Sequence, residues 1–411
     1  MRTVRRPWRP FWWSALFGIM LLMAACGGSD GTSTKTAETR SAPESAPTPP
    51  PPPSEPKAIR LAVVGAHSGD LASLGTPTLR AARMAVAEVN RQGGVFSREI
   101  EILAKDDQCD AERAEAIARE LMEEGISMIL GHTCSGATRS ALGVYDPRRV
   151  VVISPSATNP ALTQGGAHPG FFRSISPDDA QARLQARFVV AGLESRKVAV
   201  IHDGDDYGRG LAEYVRRFID ESERAEVVLF EAIAPGAADY PEAVVAVGEA
   251  DADVVIYGGY YPEAARLVRG MRTAGITIPF VSDDGVKDQS FITAAGEYAE
   301  GVYATGPQDT SDRNLAKAAI AAHQREYGTP PGPFYLNAYA AVLALVNAIE
   351  KSGSLDYDSV TRFLRISYVA TPLGTIKFDR AGDISGYGFS VYQVKNGAFA
   401  EMMVPEMSAE G

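Results

Sequence analysis

The chain has 411 residues, 45% hydrophobic and 22% charged, with 39 glycines, a composition that suits a globular α/β protein large enough for two or three domains. With 51 acidic against 40 basic residues the formal charge is −11, and no basic cluster offsets it, which argues against nucleic acid or anionic lipid as a partner.

The first segment reads as an export signal. Residues 1–10 carry four arginines and no acid, Phe11 to Met23 is almost wholly apolar, and Ala24-Ala25-Cys26 follows. A basic start, a short apolar core and small residues before a cleavage point predict a signal peptide over residues 1–25, since the apolar run falls short of the roughly twenty residues of a membrane helix. Leu22-Met-Ala-Ala-Cys26-Gly resembles a bacterial lipobox, with methionine where leucine is usual at position 23. That resemblance implies lipidation at Cys26 and a body anchored on the periplasmic or extracellular side of a bacterial membrane. Residues 26–57, rich in Ser, Thr and Pro with an unbroken Pro49 to Pro53, are expected to form a disordered tether. Of the three cysteines, Cys109 and Cys134 then remain as an even pair in an oxidising compartment, where a disulfide is the expected state.

Beyond the tether, β-branched runs alternate with helical stripes. Strands are expected at 59–64, 100–103, 127–130 and 150–153, separated by stripes such as Leu79, Ala82, Val86 and Val89. The pattern restarts at 197–201, 227–230, 253–256 and 279–282, with helices beginning near Tyr207, Tyr240 and Pro262. Repeated βαβ units predict two doubly wound, Rossmann-like parallel sheets, one per lobe. Helices are expected at 314–327 and 334–351, and strands at 375–379 and 389–394 around the turn Asp379 to Asp383. The change of pattern suggests a chain that crosses between lobes: 58–177 with 305–384 in lobe 1, and 178–304 with 385–405 in lobe 2.

In open α/β sheets ligands sit beyond the carboxyl ends of strands, so the loops there carry the candidate chemistry. Gly131-His-Thr-Cys134-Ser135-Gly leaves several readings open: a Cys134 nucleophile with His132 as base, a His132 and Cys134 metal pair, or a disulfide. Further ligands at zinc-like spacing are missing, and Ser135 lacks a GxSxG elbow. Ser135 reads either as a helix N-cap or, at a helix N-terminus, as a partner for an anion such as a carboxylate. In Ser154-Pro-Ser-Ala-Thr158-Asn-Pro160 the Thr158 hydroxyl and Ser156 carbonyl could accept an ammonium group, or the segment could be a plain turn. Tyr207, Tyr260 and Asp284 follow strands of the second half and suit a wall with polar tips and a carboxylate for an ammonium group. Gly208-Arg-Gly210 has no third glycine and no GxxxxGK occurs, so no nucleotide or other cofactor is expected.

Several of these loops, in order, match one family. Val63-Val-Gly-Ala66-His-Ser68-Gly, Asp106-Asp-Gln-Cys-Asp110, Gly131 to Ser135, Ser154 to Pro160, His202-Asp203 with Tyr207-Gly208, Tyr257-Gly-Gly-Tyr260 with Pro262-Glu263, and Asp284-Gly-Val286 resemble the leucine/isoleucine/valine-binding proteins of branched-chain amino-acid ABC importers. The resemblance runs from Ile59 to about Met403 and implies the type I periplasmic binding fold, with two lobes joined by a multi-strand hinge. It places the family disulfide on Cys109 and Cys134. Ligand contacts fall on Ser135, on Ser156, Ala157 and Thr158, on Tyr207 and Tyr260 of the closing lobe, and on Asp284. Two positions depart from the pattern: Asp284 stands where leucine-binding members carry glutamate, and Leu74 where they carry an aromatic residue. The implied function is capture of an aliphatic α-amino acid by hinge closure and delivery to an ABC-type permease, without catalysis. A ligand-sensing receptor of the same fold, or a hydrolase built on Ser135 or Cys134, are the readings to set against it.

Overall fold

A computed structural model describes residues 57–402; Cys26, the signal peptide and nearly all of the tether lie outside them. The first half builds β1 (Ile59–Gly65), α1 (Ala72–Arg91), β2 (Ile100–Asp106), α2 (Ala111–Glu123), β3 (Met128–Leu130), α3 (Ser135–Tyr145), β4 (Val151–Ser154) and β5 (Phe171–Arg173). These five strands form one parallel sheet in the order β2-β1-β3-β4-β5. Its central strands are buried on both faces, while the edge strand β2 leaves Glu101 and Ala104 exposed. Val63 and Leu130 pack towards α1, while Val64, Ile129 and Val152 pack towards α2 and α3, with Leu121 buried among them. Truncating Leu121 to alanine would cost about 2–5 kcal/mol.

The second sheet follows from α4 (Asp178–Arg187), β6 (Lys197–His202), α5 (Asp206–Glu221), β7 (Glu226–Ala232), α6 (Pro241–Glu249), β8 (Val254–Gly258), α7 (Tyr261–Thr273), β9 (Phe280–Ser282), α8 (Gln289–Ala295) and β10 (Tyr303–Pro307). The chain then adds α9 (Asn314–Tyr327), α10 (Tyr335–Ser352) and α11 (Tyr357–Ile366), where α9 and α10 pack on α1. It ends in β11 (Val369–Thr371), β12 (Gly374–Phe378), β13 (Ile384–Ser385), β14 (Phe389–Lys395) and β15 (Ala398–Met402). The helix α5 shows why a segment becomes half-buried helix: Tyr207, Leu211, Val215, Phe218 and Ile219 recur on one face and are buried.

Three differences from the sequence expectation are physical. The second sheet, β15-β14-β10-β9-β8-β6-β7, is mixed rather than parallel, because β14 runs antiparallel to β10 and β15 antiparallel to β14. Strand β10 continues through Thr305 to Pro307 in that sheet, and Ser385 pairs with Lys377 of β12, so neither residue follows the boundaries expected at 304/305 and 384/385. The turn at Asp379 joins β12 to the two-residue β13 and not to β14: the Asp379 N–H donates to the Asp383 carbonyl at 2.8 Å and closes that hairpin.

A small third sheet, β11-β12-β13, packs on the core of the first half, and the chain crosses between the halves built on the two large sheets at 174–177, 308–313 and 386–388. Both sheets reverse strand order at an internal point, between β1 and β3 in one and between β6 and β8 in the other. Loops leaving these strands are splayed apart there, and the two sets of loops face each other.

Candidate functional site

Leu74, Thr133, Ser135, Ser156, Tyr207, Tyr260, Asp284, Gly285 and Phe334 enclose a chamber between the two sheets. The space between their atoms is narrow, about 250 Å³.

On the first sheet's side the loops after β3 and β4 form the floor. Cys134 is the extended cap residue of α3 (φ −100°, ψ 147°), which makes Ser135 the first helical residue and not the cap. Its hydroxyl accepts the Asn159 N–H at 3.2 Å, leaving its own proton to point elsewhere. Ser135 therefore presents a donor at the positive end of an 11-residue helix, a setting that favours an anion. Ser156 lines the chamber and donates its hydroxyl to the Thr133 carbonyl at 2.7 Å. Ala157 and Thr158 are fully buried next to it but are not part of the lining. The Thr133 and Thr158 hydroxyls are buried without a partner among the described residues.

The loop that carries Cys134 is braced twice. The Cys109 and Cys134 sulfurs are bonded, with Cα atoms 5.4 Å apart. Behind them His132 is fully buried, its Nδ1 2.6 Å from Asp107 Oδ2 and its Nε2 3.1 Å from the Tyr145 hydroxyl. Both ring nitrogens and the Cys134 sulfur are thus engaged, which removes the nucleophile and metal-pair readings of this loop.

The second sheet supplies the opposite wall. Tyr207, in the first turn of α5, donates its hydroxyl to Asp284 Oδ1 at 2.5 Å. Its ring lies 5.2 Å from that of Tyr260, the cap residue of α7. Burial pushes the Asp284 carboxyl up to about 6, and the Tyr207 and Gln181 hydrogen bonds hold it from rising further. Burial also raises both phenols, so they stay neutral donors. Gly259, at φ +149°, permits this wall: a side chain there would strike the Tyr257 hydroxyl and Asp203 Oδ2.

Phe334 and Arg173 were not legible beforehand, and Thr133 and Gly285 were legible only as members of loops that follow strands. Phe334 closes the chamber beside Leu74 and Ile175 from a left-handed position (φ 58°) before α10. Gly285 and Thr133 line it through backbone bends. Arg173, 0% exposed at the end of β5, organises the floor from below: it pairs with Asp383 at 2.5 Å, donates to the Asn159 carbonyl at 2.8 Å and the Ala157 carbonyl at 3.3 Å, and reaches the Thr163 hydroxyl. An arginine closing the apolar run Phe-Phe-Arg is the one signal that could have flagged it.

A two-lobed α/β body with a narrow, amphipathic chamber at both topological switch points, donors on one side and a carboxylate on the other, defines a binding protein that clamps a small molecule. The chain belongs to the periplasmic binding protein family, whose model matches residues 58–398. It is 32% identical over 335 residues to the leucine-, isoleucine-, valine-, threonine- and alanine-binding protein of Pseudomonas aeruginosa, covering 82% of this chain and 89% of that one. It is 33% identical to the leucine-specific-binding protein of Salmonella typhimurium, over 82% of this chain and 90% of the relative. Among solved structures it is similar to the branched-chain amino acid transporter substrate-binding protein LivJ of Streptococcus pneumoniae in complex with isoleucine, with a TM-score of 0.75, 27% identity, and coverage of 84% of this chain and all of that one.

Proposed function

We propose that this protein captures an aliphatic α-amino acid between its lobes and hands it to an ABC-type membrane permease. The observation that carries the reading is the polarity of the chamber: Ser135 at a helix N-terminus on one wall, Asp284 held by Tyr207 on the other, and the apolar pair Leu74 and Phe334 beside them. A zwitterion offers a carboxylate to the first, an ammonium group to the second and a hydrocarbon to the third. Each charge-assisted hydrogen bond in such a dry site contributes about 1.5–3 kcal/mol net. The relatives' amino-acid ligands support the class, and Asp284 and Leu74, which reshape the amino end and the side-chain wall, keep leucine from being assigned outright.

No bond is made or broken in this account. Ser135, Ser156 and Asp284 hold the ligand's charged groups, Ala157 and Thr158 support them from behind the lining, Tyr207 and Tyr260 close over the ligand, and the disulfide of Cys109 and Cys134 fixes the floor. Residues 1–25 direct export, and acylation at Cys26 anchors the body to the membrane through the 26–57 tether, within reach of the permease.

A thermal-shift screen with the twenty amino acids and their amides tests this reading. Ligands that bind only the folded state raise its melting temperature. Aliphatic amino acids are expected to do so and their amides to fail; a screen in which no amino acid shifts the transition would refute the proposal.

A further inference from the structure

Behind the amino end of the chamber, outside its lining, lies an acid without a hydrogen-bond partner among the described residues. Asp178 opens α4 where the chain first crosses to the second sheet; it is 0% exposed, and neither carboxyl oxygen receives a hydrogen bond from the described residues. Its backbone N–H donates to the Thr158 carbonyl at 2.9 Å, which ties it to the floor of the chamber. The Thr158 hydroxyl lies near enough to favour the charged carboxyl, though it too is buried without a formed hydrogen bond.

The surroundings are named by the elements that pack there. Asp284, from the loop after β9, is the charge that bears most on Asp178; Asp179 follows it in α4, Arg173 faces it from β5, and Asp283 and Tyr207 feel its charge from the second sheet. Arg173 already serves Asp383, Thr163 and two loop carbonyls, and Lys287 acts on Asp284 only at long range. The two buried carboxyls thus feel each other's charge, and no cation forms an ion pair with either among the described residues. An ionised carboxylate that is both dehydrated and beside another acid is strongly disfavoured.

We propose that Asp178 is a positioning residue for the ligand's amino group: it carries a proton while the chamber is empty and loses it to solvent when an ammonium group settles between Thr158 and Asp284. The ligand keeps its own charge and the proton leaves from the Asp178 carboxyl, so charge and atoms balance. Once ionised, Asp178 accepts the Thr158 hydroxyl proton, and the Thr158 oxygen turns its lone pairs to the ammonium group. Burial, then the Asp284 charge, hold the Asp178 carboxyl well above the usual range, in keeping with this. The sign follows: the group is more acidic in the bound state, so affinity rises with pH across the interval between its bound and free values, at most tenfold per pH unit for one proton.

The inference rests on the amino-acid reading, and one experiment separates them. Calorimetry of the full chain with L-leucine, L-valine and L-alanine is run near pH 8, where Asp284 is already ionised and releases no proton of its own, in buffers of low and high ionisation enthalpy, so that the buffer dependence of the heat counts protons. The expected result is release of about half to one proton per ligand bound, with Asp178→Asn still binding but releasing none and losing its pH dependence. Binding by wild type with no buffer dependence overturns the proposal while leaving the amino-acid reading intact, and this arm needs no variant to fold. Proton release that persists in Asp178→Asn also overturns it, since the proton then comes from another group. Absence of binding by all three amino acids refutes both.

Discussion

Asn159 reaches from the floor of the chamber to the opposite wall: its Nδ2 donates to the Asp206 main-chain carbonyl at 2.6 Å, and the Asp206 carboxylate meets Arg139 Nε at 3.0 Å. Ser73 and Asp288 form a further hydrogen bond between the walls, and Tyr261 donates to the Asp70 carbonyl. These contacts tie the two walls together in this structure, so under hinge closure they would favour the closed state without touching the ligand. Asn159→Ala should weaken amino-acid affinity about fivefold, the worth of one hydrogen bond near 1 kcal/mol, mainly through faster release. Stopped-flow dissociation rates check this. Gly210→Ala should act in the same direction, because the added methyl would lie 2.8 Å from Asn159 Nδ2.

Ser135→Ala and Asp284→Ala should each weaken binding tenfold or more, at least about 1.4 kcal/mol. Titration calorimetry reads the affinity. Unchanged affinity in both variants would remove the two poles of the chamber from the account.

Opening the Cys109 to Cys134 link releases a loop of 25 residues, and chain entropy puts its stabilisation at about 3–4 kcal/mol. Cys109→Ser with Cys134→Ser should lower the melting temperature and also weaken ligand binding, because Cys134 caps the helix that presents Ser135. Melting curves and calorimetry on the double variant test both effects. A loss of stability with intact affinity would show that His132, Asp107 and Tyr145 hold the loop unaided.

Burial raises the Asp203 carboxyl to about 7 and the Asp284 carboxyl to about 6. Both exceed the unfolded value near 3.9, so at these two groups the folded protein binds more protons than the unfolded chain between pH 4 and 7, an excess that the burial-lowered His67, His202 and His323 offset in part. Stability without ligand should consequently fall as pH rises through this window, opposite to the acid denaturation of a protein with ion-paired carboxylates. Melting temperatures at pH 5 and pH 8 are expected to differ by roughly 5 °C or more, higher at pH 5.

The alternating strands and helices were legible because β1, β4, β6 and β8 are β-branched runs buried on both faces. Strands β5 and β10 were not. Phe171–Arg173 is three residues long and ends in a charge, and β10 reads Tyr-Ala-Thr-Gly-Pro, poor in strand formers. Their pairing comes from neighbours far along the chain, β4 for one and β9 and β14 for the other. The polar loops after strands pointed to five of the residues that meet in the chamber, Ser135, Ser156, Tyr207, Tyr260 and Asp284, and the family resemblance to a sixth, Leu74. Phe334 escaped because it reads as the first turn of an apolar helix, and its left-handed backbone is visible only in the fold. Ser135 was located but its role shifted by one residue, as Cys134 takes the cap and frees the serine hydroxyl to face inward.

The central claim is that the chamber reads both ends of a zwitterion, and calorimetry with L-leucine, its amide and 4-methylpentanoate on the same protein tests it most directly. The account expects the amino acid to bind, and the amide and the deaminated acid each to bind at least a hundredfold more weakly, because each leaves Ser135 or Asp284 dehydrated and unpaired. Equal affinity for the amino acid and either analogue would contradict it.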